Sequence, residues 1–322
     1  MLSKSVRSLV VGVLASATLA VAWPGAAGAA TAPVPHARVA AHFDFAAGQM
    51  PENIALEPDG SVDLTFAGAR QIARIDRRGA IRVLATPPLP ADSGVHTPVL
   101  GFPLVTGLVR ASGGTLYFLY ATGTADLTGV WRLAPGGVPR RIAALPADGL
   151  PNGLALDPGG RVLYATDSVK GVIWRVPTAG GRATTWASGP ELASTGFLGA
   201  NGIKVHGGAV WVSDLDQGTL VRYPVTRSGR AGRPRIVATG LVGIDDFAFL
   251  PHGDRVLAAL NGPSEVALVE PDGSHTTVLS AADGLQNPTA VAVRGSTVYV
   301  PSAAYTTKQD PNLLTARIPG HT

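Results

Sequence analysis

Beyond residue 31 the apolar positions fall in short runs rich in Val, Ile, Leu, Tyr and Trp, set between Gly and Pro. No window there keeps the three-to-four-residue apolar spacing of a helix, so the pattern predicts an all-β chain. Residues 151–188 show the plan most clearly: PNGLALDPGG, RVLYATD, GVIWRV and ATTW, each apolar segment ended by a Gly turn or its equivalent. This reads as four consecutive strands joined by tight turns.

The same plan occurs six times. Its starts lie near Pro51 (PENIALEPDG), Val105 (VTGLVRASGG), Pro151, Ala200 (ANGIKVHGG), Ile244 (IDDFAFLPHG) and Pro288 (PTAVAVRG), spaced by 54, 46, 49, 44 and 44 residues. A four-stranded propeller blade needs about 40–45 residues, so the spacing predicts a six-bladed β-propeller with modest insertions. The last repeat offers strands near Thr289–Val293, Thr297–Pro301 and Leu314–Ile318 and lacks a fourth. Residues Arg38 to Phe45 have strand character and are expected to complete that blade as its outer strand, which closes the ring.

Composition adds three constraints. The 40 Gly and 26 Pro suit many turns, and with no Cys the fold rests on burial without disulfides. The N-terminus runs Lys4 and Arg7, an apolar stretch from about Leu9 to Ala22, a Trp23-Pro24-Gly25 break and small residues at 27–29. That is the order of a cleaved secretory signal over residues 1–30, leaving 31–322 as a single extracellular domain with no membrane attachment. The formal charge of +4 falls to +2 without Lys4 and Arg7, and the basic residues are scattered, which argues against nucleic acid as a partner.

Alignment of the repeats brings one position forward. Two residues before the apolar pair that opens each innermost strand stand Glu52, Thr106, Asn152, Asn201, Asp245 and Thr289. In a propeller these positions face one mouth of the central channel. Two carboxylates and two carboxamides would then share a small volume, and a hard divalent cation would relieve their repulsion. Ca²⁺ fits such oxygens best, with Mg²⁺ or Mn²⁺ behind it; without His in the ring or Cys in the chain, Zn²⁺ is the outlying option. The competing reading is that Asn and Asp cap the turn before each strand. Asp167 and Asp214, at the ends of second strands, read as turn caps, and His206, His252 and His275 as surface residues of the opposite mouth.

The ring resembles that of the gluconolactonase, regucalcin and luciferin-regenerating-enzyme family of six-bladed propellers. The resemblance implies Glu52, Asn201 and Asp245 as metal ligands, Asn152 as a substrate-holding residue or further ligand, and Asp245 also as general base. Paraoxonase-type lactonases, virginiamycin B lyases and strictosidine-synthase-like proteins share the repeat style. Leu150 stands where gluconolactonase-like members carry an Arg, and Ile244-Asp245-Asp246 replaces their Pro-Asp-Gly. These departures bear on a sugar-lactone substrate and leave the metal reading intact. Asp246 is either an added ligand or a backbone-bonded residue. His96, in the loop after blade one, is a candidate for proton transfer. The expected function is a secreted metal-dependent hydrolase of a lactone or related ester, a small-molecule substrate. The alternatives are a binding propeller with a structural ion, or an isomerase, lyase or cyclase on the same scaffold.

Overall fold

The computed structural model describes residues 36–91 and 97–318, which lie within one compact unit spanning Thr31–Thr322. The signal segment expected over residues 1–30, and His96, lie outside the described residues. Six four-stranded antiparallel sheets form the described chain, five of them simple meanders and the sixth three consecutive strands completed by the first described strand of the chain. Blade one uses Pro51–Leu56, Val62–Phe66, Gln71–Ile75 and Ile81–Ala85 in order from the axis outward. The innermost strands of blades two to five are Leu104–Arg110, Pro151–Leu156, Ala200–His206 and Ile244–Phe249.

Blade six closes the ring as the sequence predicts. It is built from Ala292–Arg294, Thr297–Ser302 and Asn312–Arg317, with Arg38–His42 as its outer strand. The seam pairs Arg38 with Thr315 and His42 with Asn312. Its innermost strand is shorter than expected. The Thr289 amide still donates to Pro301 O at 3.0 Å, but regular pairing resumes only at Ala292 opposite Tyr299.

The apolar core lies between adjacent blades. Phe118, Leu108 and Trp131 of blade two pack on Ala55 and Ile72 of blade one, and Ile54 and Phe66 of blade one meet Ala290 and Leu313 of blade six. Trp211 is core, whereas Trp174 and Trp186 are half-buried at its margins.

Close to the axis a second device joins the blades. Thr65 Oγ1 donates to Thr106 O (2.8 Å), Thr106 Oγ1 to Pro151 O (2.9 Å), Ser168 Oγ to Ala200 O (2.7 Å) and Ser213 Oγ to Asp245 O (2.5 Å). Asn261 Nδ2 donates to Pro288 O (3.3 Å), and Thr289 Oγ1 to Pro51 O (2.9 Å). Each of the six inter-blade seams thus has a side-chain donor on a backbone carbonyl of the neighbouring blade. Unmade, each such buried carbonyl would cost about 1–3 kcal/mol.

Candidate functional site

The innermost strands of blades one to five share a register shift at the ring: Pro51/Asn53, Val105/Leu108, Pro151/Leu154, Ala200/Ile203 and Ile244/Phe247. A bulge turns a side chain away from the strand's regular alternation. Here it sits at Glu52, Thr106, Asn152, Asn201 and Asp245. The residue that follows is Gly in blades two, three and four, because the next blade's backbone lies against it. A Cβ on Gly107 would stand 2.6 Å from Asn152 O, and one on Gly202 2.5 Å from Asp246 Cα.

The six ring positions divide into two groups. Thr106 and Thr289 spend their hydroxyls on neighbouring carbonyls and serve the seams. Glu52, Asn152, Asn201 and Asp245 are all buried, at 8, 6, 3 and 6 % exposure. Glu52 and Asp245, 193 residues apart, are close enough to repel. Burial pushes Glu52 up to about 7, against the Tyr305 hydrogen bond and with the Asp246 charge. Burial raises Asp245 well above the usual carboxylate range, and the Glu52 and Asp246 charges add to it.

Three of the four are held by one end. Tyr305 Oη donates to Glu52 Oε2 at 2.5 Å, Asn261 Nδ2 to Asp245 Oδ2 at 3.2 Å, and Asn152 Nδ2 to Ser168 Oγ at 3.1 Å. Among the described residues, no protein group donates to Glu52 Oε1, Asp245 Oδ1 or Asn152 Oδ1, and the Asn201 amide makes no side-chain hydrogen bond. Asn287 ties two of the anchors together. Its Nδ2 donates to Asn261 O (3.0 Å), and its Oδ1 accepts from the amide and hydroxyl of Thr306, next to Tyr305.

Tyr305, Asn261, Ser168 and Lys204 were not legible as site residues, since each lies outside the aligned ring position. Ser168 and Asn261 share one offset, 16 residues beyond Asn152 and Asp245, and Lys204 stands out among its counterparts. Its counterparts two residues along from the ring-following position are Ala55, Val109, Ala155, Ala248 and Ala292. It meets Asp246 with Nζ 2.5 Å from both carboxylate oxygens, while Asn53 Nδ2 and the Phe247 amide donate to the same group. Asp246 is therefore an ion-pair partner, and backbone-bonded as well. Asp167 and Asp214 cap turns, accepting from the amides of Val169 and Lys170 and of Gln217. His252 and His275 are exposed; His206 stacks on Phe249 and bonds Asp254.

Among the described residues no group of three or more His, Cys, Asp and Glu has the arrangement of a metal site. The donor set at the mouth is instead two carboxylates and two carboxamides. Two buried carboxylates that repel, with three oxygens that accept from no described residue, fit one hard divalent cation.

The arrangement defines a six-bladed β-propeller with a buried polar cluster at one channel mouth. No family model matches the chain, and no curated protein sequence does. Solved structures do. A gluconolactonase from Xanthomonas campestris superposes with a TM-score of 0.60 at 13 % identity, over 89 % of this chain and 96 % of that one. Regucalcin from Agrobacterium tumefaciens, a calcium-binding protein, gives 0.62 at 20 %, over 83 % and 90 %. Virginiamycin B lyase from Staphylococcus aureus gives 0.58 at 15 %, over 88 % and 100 %. The resemblance to the gluconolactonase and regucalcin propellers thus holds for the fold.

Proposed function

We propose that this protein is a secreted, divalent-metal-dependent hydrolase acting on a lactone or related ester at the mouth framed by Glu52, Asn152, Asn201 and Asp245. The observation that carries the reading is the Glu52–Asp245 pair, two buried carboxylates raised chiefly by burial, Asp245 also by the Glu52 charge and both by Asp246, each with one oxygen held by a neutral donor. Glu52, Asn201 and Asp245 would hold the cation, Ca²⁺ by the hardness of the donors, with Asn152 adding a ligand or holding substrate. When bound, the cation would polarise the substrate carbonyl.

The chain's own groups supply the rest. Asn261 holds Asp245 at Oδ2 and so orients the carboxylate that would take a proton from the attacking water. Ser168 fixes the Asn152 amide so that its carbonyl is the end left for a ligand. The N-terminal pattern supports export, and the likeness in fold to a gluconolactonase and to a calcium-binding regucalcin agrees with this reading. Burial of all four groups favours a second reading, a binding propeller around a structural ion.

Elemental analysis of the purified protein with a lactone and ester hydrolysis screen separates the two. Hydrolysis is expected, with Asp245→Asn losing at least about a hundredfold in kcat while still folding, and Asn152→Ala raising KM more than it lowers kcat. Bound metal with no turnover supports the structural-ion reading. An Asp245→Asn protein that, metal-saturated, matches the wild-type rate overturns the proposed base.

A further inference from the structure

The channel below the mouth holds a charge arrangement that the hydrolytic reading does not use. Asp246 is 2 % exposed and follows a proposed ligand directly in the chain, so it stands as a third acid beneath Glu52 and Asp245. Its partner, Lys204, rises from blade four, and the Lys204 Nζ also lies 5.5 Å from the Phe247 ring centroid. Asn53, which donates to Asp246 at 3.1 Å, belongs to blade one. In a ring of six, blades one and four stand opposite each other, so the Asn53–Asp246–Lys204 network crosses the channel. On its far side lies a cavity of 550 Å³ lined by Asn53, Lys204, Arg110, Ser112 and His206 among apolar side chains, and by none of Glu52, Asn152, Asn201 or Asp245. Small side chains at the equivalent positions of the other blades leave room for one long one.

Resting on the metal reading above, we propose that the Lys204 ammonium is the chain's own cation for Asp246, withholding that carboxylate from the mouth so that the mouth takes a single divalent ion. Lys204 is a positioning residue in this scheme. It fixes Asp246 through both oxygens, and the two remaining acids, Glu52 and Asp245, carry the charge that one divalent ion neutralises. Without the ammonium, Asp246 becomes a buried anion with only neutral donors, Asn53 Nδ2 and the Phe247 amide, and an added metal is the nearest replacement.

The test is calcium titration calorimetry with thermal melting on wild type, Lys204→Met, Lys204→Arg and the double variant Lys204→Met/Asp246→Asn. Wild type is expected to take one Ca²⁺. Lys204→Met should melt lower in EDTA and either take a second Ca²⁺ or bind the first at least about tenfold more tightly. Lys204→Arg, which keeps the charge, and the double variant, which removes the freed acid, should return to the wild-type count and affinity. A Lys204→Met protein with the wild-type count and affinity, whatever its melting temperature, overturns this inference alone. Uptake by Lys204→Met but not by wild type overturns the metal reading and leaves Lys204 as the cation. Uptake by neither protein overturns both.

Discussion

The Tyr305 hydroxyl donates to Glu52 Oε2 at 2.5 Å, joining a loop of the last blade to the first ring position across 253 residues of sequence. It holds one oxygen of the acid that the sequence places in the site and leaves the other for a ligand. Groups that orient metal ligands in this way typically control affinity by 10–100-fold. Tyr305→Phe removes the donor and keeps the ring. The expected outcome is Ca²⁺ binding weakened about tenfold or more by calorimetry. Equal affinity in the two proteins would remove Tyr305 from the site.

The Glu52–Asp245 pair makes stability depend on pH in a defined direction. Glu52 is pushed from its ordinary value near 4.5 up to about 7, and Asp245 is raised in the same sense. Between those values the folded chain keeps a proton that the unfolded chain has released. Metal-free protein should therefore lose stability as pH rises from 4.5 through 7, by about 3 kcal/mol from Glu52. Bound Ca²⁺ would replace the proton, so the melting temperature in Ca²⁺ minus that in EDTA should widen with pH. Melting curves from pH 5 to 8 in each condition check this; a constant difference, or none, contradicts it.

Thr289 tests the closure of the ring. As the least chemical of the ring residues it would pass for a neutral site, but its hydroxyl donates to Pro51 O at 2.9 Å, across the seam between the last blade and the first. Thr289→Val leaves that buried carbonyl short of a donor and should cost about 1–3 kcal/mol, while Thr289→Ser restores most of it. Denaturant midpoints of the two variants measure the difference. The outer seam is tested by deleting residues 31–46, which removes the Arg38–His42 strand and should lower the melting temperature markedly.

Gly202 tests the close approach of blades four and five. A Cβ there would lie 2.5 Å from Asp246 Cα and 2.8 Å from Asp245 O. Because the obstacle is backbone, Gly202→Ala must push blade five outward and shift both acids. A loss of several kcal/mol is expected from this overpacking, together with weakened Ca²⁺ binding. Gly253→Ala, in open space at a surface turn but at a φ of 79°, should cost only the backbone strain, about 1 kcal/mol.

The number of blades, their order, the closing strand at Arg38–His42 and the ring positions Glu52, Asn152, Asn201 and Asp245 were all present in the linear chain. Each repeat writes the same alternation and turn residues, and a propeller maps equal repeat positions onto equal places around one axis. What surrounds those positions was not periodic. Ser168 and Asn261 share one repeat position, 16 residues beyond Asn152 and Asp245, but its occupants differ from blade to blade, and Tyr305 lies in a loop of the last blade, so the repeat pattern alone did not mark them as anchors. The split between Asp245 and Asp246 was equally hidden. Adjacent acids look alike in sequence, and only the bulge at Ile244/Phe247 and the Lys204 side chain from the neighbouring blade give one a neutral anchor and the other an ion pair. The repeat determined where polar groups would gather; the contacts between blades decided their charge, because burial and partners, neither carried by a single repeat, set which acids keep a free oxygen.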